Sequence, residues 1–263
     1  MKRNRAEVDR LCRSGGRLDG ADLAGLDLSC MDLAGVSLRG ASLAGADLRG
    51  TDLSEADLCN ADLRGARLRV ARLCRARMVG TSLVDADAFM ADFDGADLRN
   101  ADLGRASLRE TAMRGAILWG ARLDDADLRM SDLSGADLRG TQLVRARLGH
   151  ARMVAADLKM ADLSGAKLEG AALSRCDLRR ARLSGCCLQG ADLTGADLRG
   201  ATLRSTDLRG AVIAGIRLTG ADLSGTRFST GSLTAVMAGS VLLSSEATIE
   251  DEGVQPLLLR SMA

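Results

Sequence analysis

The chain contains 263 residues, of which 46% are apolar, and its 36 Lys and Arg nearly balance its 35 Asp and Glu. The sequence shows neither a signal peptide nor an apolar stretch long enough to span a bilayer. Its seven Cys include no Cys-x-x-Cys pair, so we expect reduced thiols in a soluble cytoplasmic protein.

Residues 1–16 are predicted to form an N-terminal cap. Asn4 suits the N-cap of a short helix, and residues 14–16, Ser-Gly-Gly, suit its end. One face of this helix is apolar and consists of Val8, Leu11 and Cys12. Such a helix can cover the open edge of a β-structure that follows it.

Residues 17–244 repeat a five-residue unit, most often Ala-Asp-Leu-x-Gly, without an insertion or a deletion. Nearly every fifth residue from Leu18 to Leu243 is Leu, and a small residue precedes it by two positions. A separation of two is the period of a strand, whereas a spacing of five matches no helix, so both columns are predicted to face inward. Because one unit cannot bury its Leu alone, successive units must stack as turns of a solenoid.

The residue after each central Leu indicates how many sides one turn has. It alternates with a period of ten between Arg or Lys, as at Arg49 and Arg139, and small residues, as at Ala44 and Ser134. This alternation stays in register between turns only if each turn has an even number of sides. We predict an all-β, four-sided parallel β-helix of about eleven coils and ~50 to 55 Å, right-handed as parallel crossovers usually are.

Units such as residues 46–50, Ala-Asp-Leu-Arg-Gly, and the identical residues 136–140 carry a family resemblance. The chain resembles the pentapeptide-repeat family over all but its termini. This resemblance implies a right-handed quadrilateral β-helix.

The repeat pattern decays after Thr226, and residues 245–263 combine an acidic stretch with an apolar one. The apolar residues, which can dock on another surface, are Leu257, Leu258, Leu259 and Met262. Two interpretations stay open: a cap within the chain, or the seam of a homodimer, since isologous contacts are the commonest route to oligomers. The resemblance favours dimerisation at this end, because related rods often dimerise there.

No motif in the sequence indicates catalysis, and no cofactor or metal is expected. The single His, His150, is too few for a multi-His metal site, and it lies at a corner position of the repeat. Asp residues recur on every side, which is more typical of a solvated face whose carboxylates bond turn amides than of acid–base machinery. We therefore expect a binding protein and not an enzyme.

The outward residues divide the four sides into two kinds. Two opposite sides carry Asp before the Leu and Arg after it, as in Asp47 and Arg49, whereas the other two follow the Asp with small residues and are flatter and mildly acidic. The acidic candidates for a partner contact are Asp22, Asp62, Asp102 and Asp162 on one flatter side and Asp32, Asp52, Asp92 and Asp132 on the other. A purely solubilising surface is the alternative, because exposed ion pairs contribute only ~0 to 1 kcal/mol each.

Around the fourth to sixth coils the outward positions turn apolar. The apolar candidates for a partner contact are Trp119, Ile117, Val79 and Phe89. Phe89 has a structural alternative, since it can turn inward to fill the space left by Ala88 in the central column. Trp119 has none, and a Trp within a rim of charges is typical of a binding hot spot.

The family resemblance also implies a function. Several bacterial members bind DNA gyrase and related type II topoisomerases and protect them from quinolones or other poisons, with an acidic rod standing in for DNA. The chain resembles the loop-free members, although a DNA mimic is expected to be acidic and this chain is electrically balanced. The prediction is a topoisomerase-binding rod that gives antibiotic resistance or self-immunity without touching nucleic acid or membrane. The alternative is a scaffold or effector-type module with an unrelated protein partner.

Overall fold

The computed structural model describes residues 4–229 and two strands nearer the C-terminus. Its elements in chain order are the helix α1, Arg5–Arg13, and the strands β1, Arg227–Phe228, β2, Ala247–Asp251, and β3, Val254–Leu259. For β2 and β3 the backbone alone is described. From residue 21 to β1, each five-residue unit contributes one bridge residue and one turn.

Helix α1 forms as the N-terminal residues predict. Asn4 Oδ1 accepts the Glu7 N–H at 3.0 Å, and the Glu7 carboxylate accepts the Asn4 N–H at 3.1 Å, which completes a capping box. Val8 is fully buried, and Leu11 and Cys12 pack against the same core. The predicted apolar face therefore docks on the end of the solenoid.

The solenoid has twenty residues per turn. Parallel bridges join each residue before a central Leu to the residue twenty positions later, from Asp22 with Ser42 to Asp207 with Arg227. Twenty residues correspond to four five-residue units, as the ten-residue alternation predicts. The predicted total of about eleven coils extends to residue 244, and its last part lies outside the described residues.

A tight turn follows every central Leu. In the unit ending at Gly50, the Thr51 N–H donates to the Leu48 carbonyl at 3.1 Å, and Gly50 has a φ of 64°. A positive φ at the third residue is the requirement of a type II turn, and glycine meets it without steric cost. Non-glycine residues adopt the same conformation at other corners, among them Val70 with a φ of 59°.

The two inward columns form one continuous core. Leu48 and Ala46 are fully buried, as are nearly all of their counterparts. Where a polar residue takes the small position, it bonds to a main-chain carbonyl: Thr81 Oγ1 donates to Leu58 O at 2.7 Å, and Cys186 Sγ lies 2.8 Å from Leu163 O. Each substitution therefore satisfies its own buried polar group.

Each of the four sides is called a face. Residues that are a multiple of twenty positions apart lie on the same face. Face 1 contains residues 21–25, face 2 contains 26–30, face 3 contains 31–35 and face 4 contains 36–40. Faces 1 and 3 are opposite, and so are faces 2 and 4. The flatter acidic sides predicted above are faces 1 and 3.

At the C-terminal end, β1 pairs in parallel with β2, and β2 pairs antiparallel with β3. In that pairing Leu257, Leu258 and Leu259 lie opposite Ile249, Thr248 and Ala247, respectively. Met262 lies outside the described residues. The homodimer seam stays a prediction.

Candidate protein-binding surface

Face 4 carries a ladder of charged pairs along much of its length. Arg139 donates Nε to Asp137 Oδ1 at 2.8 Å and Nη2 to Oδ2 at 2.6 Å, and Arg99 binds Asp97 at the same two distances. Such two-point pairs are stronger and better oriented than single hydrogen bonds. The ladder continues through the ion pairs Lys159 with Asp157 and Asp177, Arg179 with Asp177, and Arg199 with Asp197.

Within each pair the carboxylate is recessed and the cation is outermost. The Asp137 side chain is 26% exposed against 52% for Arg139, and Asp137 also accepts the main-chain N–H of Arg139 at 3.2 Å. Hydrogen bonds from the arginines lower the pKa of Asp97 and of Asp137 from their ordinary value. A guanidinium has five N–H donors, so each two-point pair leaves three for another acceptor.

Ile117 and Trp119 interrupt this ladder. Ile117 bridges to Asp97 on one side and to Asp137 on the other, so the apolar pair stands between two charged pairs. Trp119 is 50% exposed and Ile117 is 38% exposed. The outward placement predicted for both residues is confirmed.

The other apolar candidates do not adjoin Trp119. Val79 is on face 4 but two turns away and half-buried, and Phe89 is on face 2, on the opposite side of the rod. Phe89 is half-buried with its ring 4.8 Å from the Arg69 guanidinium carbon, while Ala88 is fully buried in the core. The interpretation of Phe89 as an inward core filler is therefore wrong, and the predicted apolar region is divided between faces.

All eight acidic candidates on faces 1 and 3 share a structural contact. One carboxylate oxygen of each accepts the main-chain N–H two residues later, at 2.9 to 3.2 Å, as Asp52 does from Ser54 and Asp102 from Gly104. These are the turn-amide bonds predicted for the Asp column. Five of the eight also form ion pairs, namely Asp52, Asp62, Asp102, Asp132 and Asp162. Most of these carboxylates thus hold turns and neighbouring arginines.

At the corners of the coil, two exposed apolar features were missed by the sequence reasoning. Val70 and Met130 lie at the corner after face 2 and are 57% and 55% exposed, respectively. Met160 lies at the corresponding corner of face 4 and is 66% exposed. The signal was available, because each occupies the position where the repeat normally places Gly.

Other kinds of site have little support in the described part of the chain. No group of three His, Cys, Asp or Glu there is arranged to hold a metal ion. Within the same residues, no helix has the length and apolarity needed to cross a membrane. All seven cysteines are unpaired, and burial raises the pKa of Cys176 and of Cys186 to about 12.

The chain matches the protein-family model described as Pentapeptide repeats, with eight copies. The matched residues are 17–54, 51–87, 91–129, 131–170, 161–200 and 196–234. The chain belongs to the pentapeptide-repeat family. The repeats and the solved structures of this family imply that the solenoid is a right-handed β-helix. A search of curated proteins found no match.

Solved structures of other family members are similar to this chain. HetL, a pentapeptide-repeat protein involved in heterocyst differentiation regulation in the cyanobacterium Nostoc, is 35% identical, with 85% of this chain and 96% of HetL covered and a TM-score of 0.76. QnrB1, a plasmid-mediated fluoroquinolone resistance protein, is 20% identical over 82% of this chain and 92% of its own, with a TM-score of 0.49. The structural similarity over most of the rod therefore rests on HetL.

Proposed function

We propose that this pentapeptide-repeat protein is a non-catalytic rod that acts by binding another protein on face 4. The observation that supports this most strongly is the half-exposed Ile117–Trp119 pair between the Asp97–Arg99 and Asp137–Arg139 pairs. A large aromatic side chain within a charged rim has the composition of a binding hot spot. A cytoplasmic location and a homodimer joined at the C-terminal end belong to the same proposal.

The first candidate partner is a type II topoisomerase, specifically DNA gyrase, with protection of the enzyme from a poison as the consequence. The family resemblance supports this candidate, as does a rod that carries no projecting loop between residues 17 and 229. Charge supports it less, because acidic side chains outnumber basic ones by only two on face 1 and by only two on face 3. Gyrase binding is therefore proposed to depend on shape and on Trp119 rather than on a DNA-like charge.

The alternative is an interaction module for an unrelated protein. The similarity to HetL, which takes part in the regulation of heterocyst differentiation, supports a regulatory contact of this kind. In both cases the contact lies on face 4, and the two candidates differ in the identity of the partner.

A gyrase assay tests the first candidate. DNA supercoiling is measured with and without a cleavage-stabilising poison while the wild type, Trp119→Ala or Met130→Ala is titrated in. Met130 is a matched control, because it is 55% exposed but lies on face 2. We expect the wild type and Met130→Ala to lower the yield of cleaved DNA and Trp119→Ala to fail. No effect of the wild type at micromolar concentration would exclude gyrase.

Photo-crosslinking tests the binding surface itself. A photoreactive phenylalanine analogue replaces Trp119 in cells that make the protein, and a second strain carries it at Met130. We expect one protein to crosslink at position 119 and not at position 130. If no protein crosslinks selectively at position 119, face 4 is not the binding surface and the proposed function fails.

A further inference from the structure

Face 4 presents a further exposed apolar side chain two turns beyond the Ile117–Trp119 pair. Met160 borders a surface depression of about 440 Å³ that is also lined by the cations Lys159, Arg179, Arg180 and Arg199. Trp119 and Met160 are therefore two apolar contacts on one face, with cationic groups around and beyond them.

The spacing along this face is set by the solenoid. Neighbouring parallel strands lie ~4.8 Å apart, so Trp119 and Met160 are separated by roughly 10 Å along the rod. The outward residues from Arg99 to Arg199 span five turns, or roughly 24 Å. Over this range, the residue after the central Leu recurs on face 4 once per turn. It is Arg or Lys in every turn except the one that contains Trp119.

The charges of face 4 are separated by depth. The side chains of Asp137, Asp177 and Asp197 are 17 to 27% exposed, whereas those of their partners Arg139, Arg179 and Arg199 are 37 to 52% exposed. A partner that approaches this face meets guanidinium N–H donors first. The complementary groups on the partner are carboxylates.

We infer that face 4 between Arg99 and Arg199 binds an acidic amphipathic α-helix of the partner protein, aligned with the rod axis. Two apolar residues of that helix contact Trp119 and Met160, and its carboxylates contact Arg139, Arg179 and Arg199. The inference rests on the proposed function, because it gives the chemistry of the segment that face 4 receives.

The geometry favours a helix over the other acidic partners. A helix lying along the rod presents one helical turn every ~5.4 Å, whereas the rod presents one coil every ~4.8 Å. Over five coils the mismatch between the two spacings grows to only ~3 Å, a distance that flexible arginine side chains can span. Residues seven apart on a helix rise ~10.5 Å, close to the separation of Trp119 and Met160. An extended strand presents residues on one face every ~6.6 Å, so its mismatch with the 4.8 Å spacing of the coils grows three times as fast. A duplex nucleic acid offers phosphates, but its paired bases are stacked on one another and are not free to stack on Trp119.

The test uses a synthetic stapled helix of about 16 residues, long enough to cover 24 Å. It contains no Trp or Tyr and carries two Leu about seven residues apart with Glu between and beside them on the same face. Two comparison peptides replace the Glu by Lys or interrupt the helix with Pro. Because Trp119 is the only Trp and the chain has no Tyr, its fluorescence emission reports binding at this position directly. Fluorescein-labelled peptides allow variants that lack Trp119 to be measured by anisotropy.

The protein variants separate face 4 from the rest of the rod. One carries Arg139, Arg179 and Arg199 each changed to Gln, and its control carries the same change at three arginines paired in the same way on face 2, Arg49, Arg129 and Arg209. We expect roughly tenfold weaker binding for the face 4 variant, since three exposed ion pairs are lost, and less than a twofold change for the control. Trp119→Ala is expected to weaken binding by a larger factor.

Support for the inference is a blue shift of Trp119 emission with the acidic helix, weak binding of both comparison peptides, and loss of affinity in the face 4 variants alone. Equal binding of the Lys or Pro peptide, equal loss in the face 2 control, or no binding at millimolar peptide overturns it. A peptide failure combined with selective crosslinking at position 119 leaves the proposed function standing. Absence of that crosslinking removes the proposed function instead.

Discussion

Val70 provides a quantitative test of the corner geometry. Among the non-glycine residues with positive φ in the described chain, Val70 is the one with a β-branched side chain, and its φ is 59°. A left-handed conformation costs an L-residue about 1–2 kcal/mol, and branching at Cβ is especially unfavourable there. Asn tolerates this conformation, as at Asn60 and Asn100, where φ is 56° and 54°. We therefore expect Val70→Asn to stabilise the protein.

The magnitude follows from strain relief and lost burial. Val70 is 57% exposed, so less than half of its apolar surface contributes to the core. Full burial of a valine is worth about 1.5 kcal/mol, so the lost burial costs about 0.6 kcal/mol. The free energy of unfolding should rise by about 0.5 to 1.5 kcal/mol. With an m-value of ~3 kcal/mol/M, the urea midpoint should increase by about 0.2 to 0.5 M.

The control for this experiment is Val212→Asn. Val212 is exposed to a similar extent, 51%, but it occupies a bridge position opposite Asp192, where a β-branched residue is favourable. Its replacement should lower the urea midpoint. If Val70→Asn lowers the midpoint as much as Val212→Asn does, the assignment of strain to this corner is wrong.

Three further predictions concern the core, the thiols and the acid response. Thr81→Val removes a buried hydrogen bond to a main-chain carbonyl and should cost about 1 to 3 kcal/mol in urea unfolding, whereas Thr81→Ser should retain most of the stability. Iodoacetamide at pH 8 should label the exposed Cys30 in the folded protein and leave the buried Cys186 unlabelled, because burial raises the pKa of the Cys186 thiol to about 12. Peptide mass spectrometry that finds both cysteines labelled at the same rate would contradict this. Although burial acts to raise it, hydrogen bonds from Arg179 and a neighbouring lysine lower the pKa of Asp177 to about 2. Its contribution to stability is therefore present above the unfolded-state pKa of ~4 and is lost as the pH falls towards 2, so Asp177→Asn should reduce the drop in thermal midpoint over that range.

The folded structure also explains which predictions about the surface failed. The sequence places Phe89 and Trp119 thirty residues apart, but a turn of twenty residues puts them on opposite faces. Ala88 leaves a small residue in the core without drawing Phe89 inward, because the outward position allows its ring to lie against Arg69. The acidic candidates illustrate a related limit: their turn-amide bonds follow from local spacing, whereas four of their five ion pairs link residues twenty positions apart, as Asp52 and Arg72 do.

The sequence by itself determined the repeating unit and the inward columns, because an uninterrupted period of five buries every central Leu only if successive units stack. It also indicated the four-sided turn, because the ten-residue alternation stays in register only with an even number of sides. It also determined the capped N-terminal helix, whose signals lie within a few residues of one another. Only the tertiary structure decided which outward residues share a surface, because stacking brings together residues that are distant in the chain. It also set the depth of each charge: the carboxylates of face 4 are tied to turn amides and lie beneath their cations, so this face presents guanidinium groups outermost.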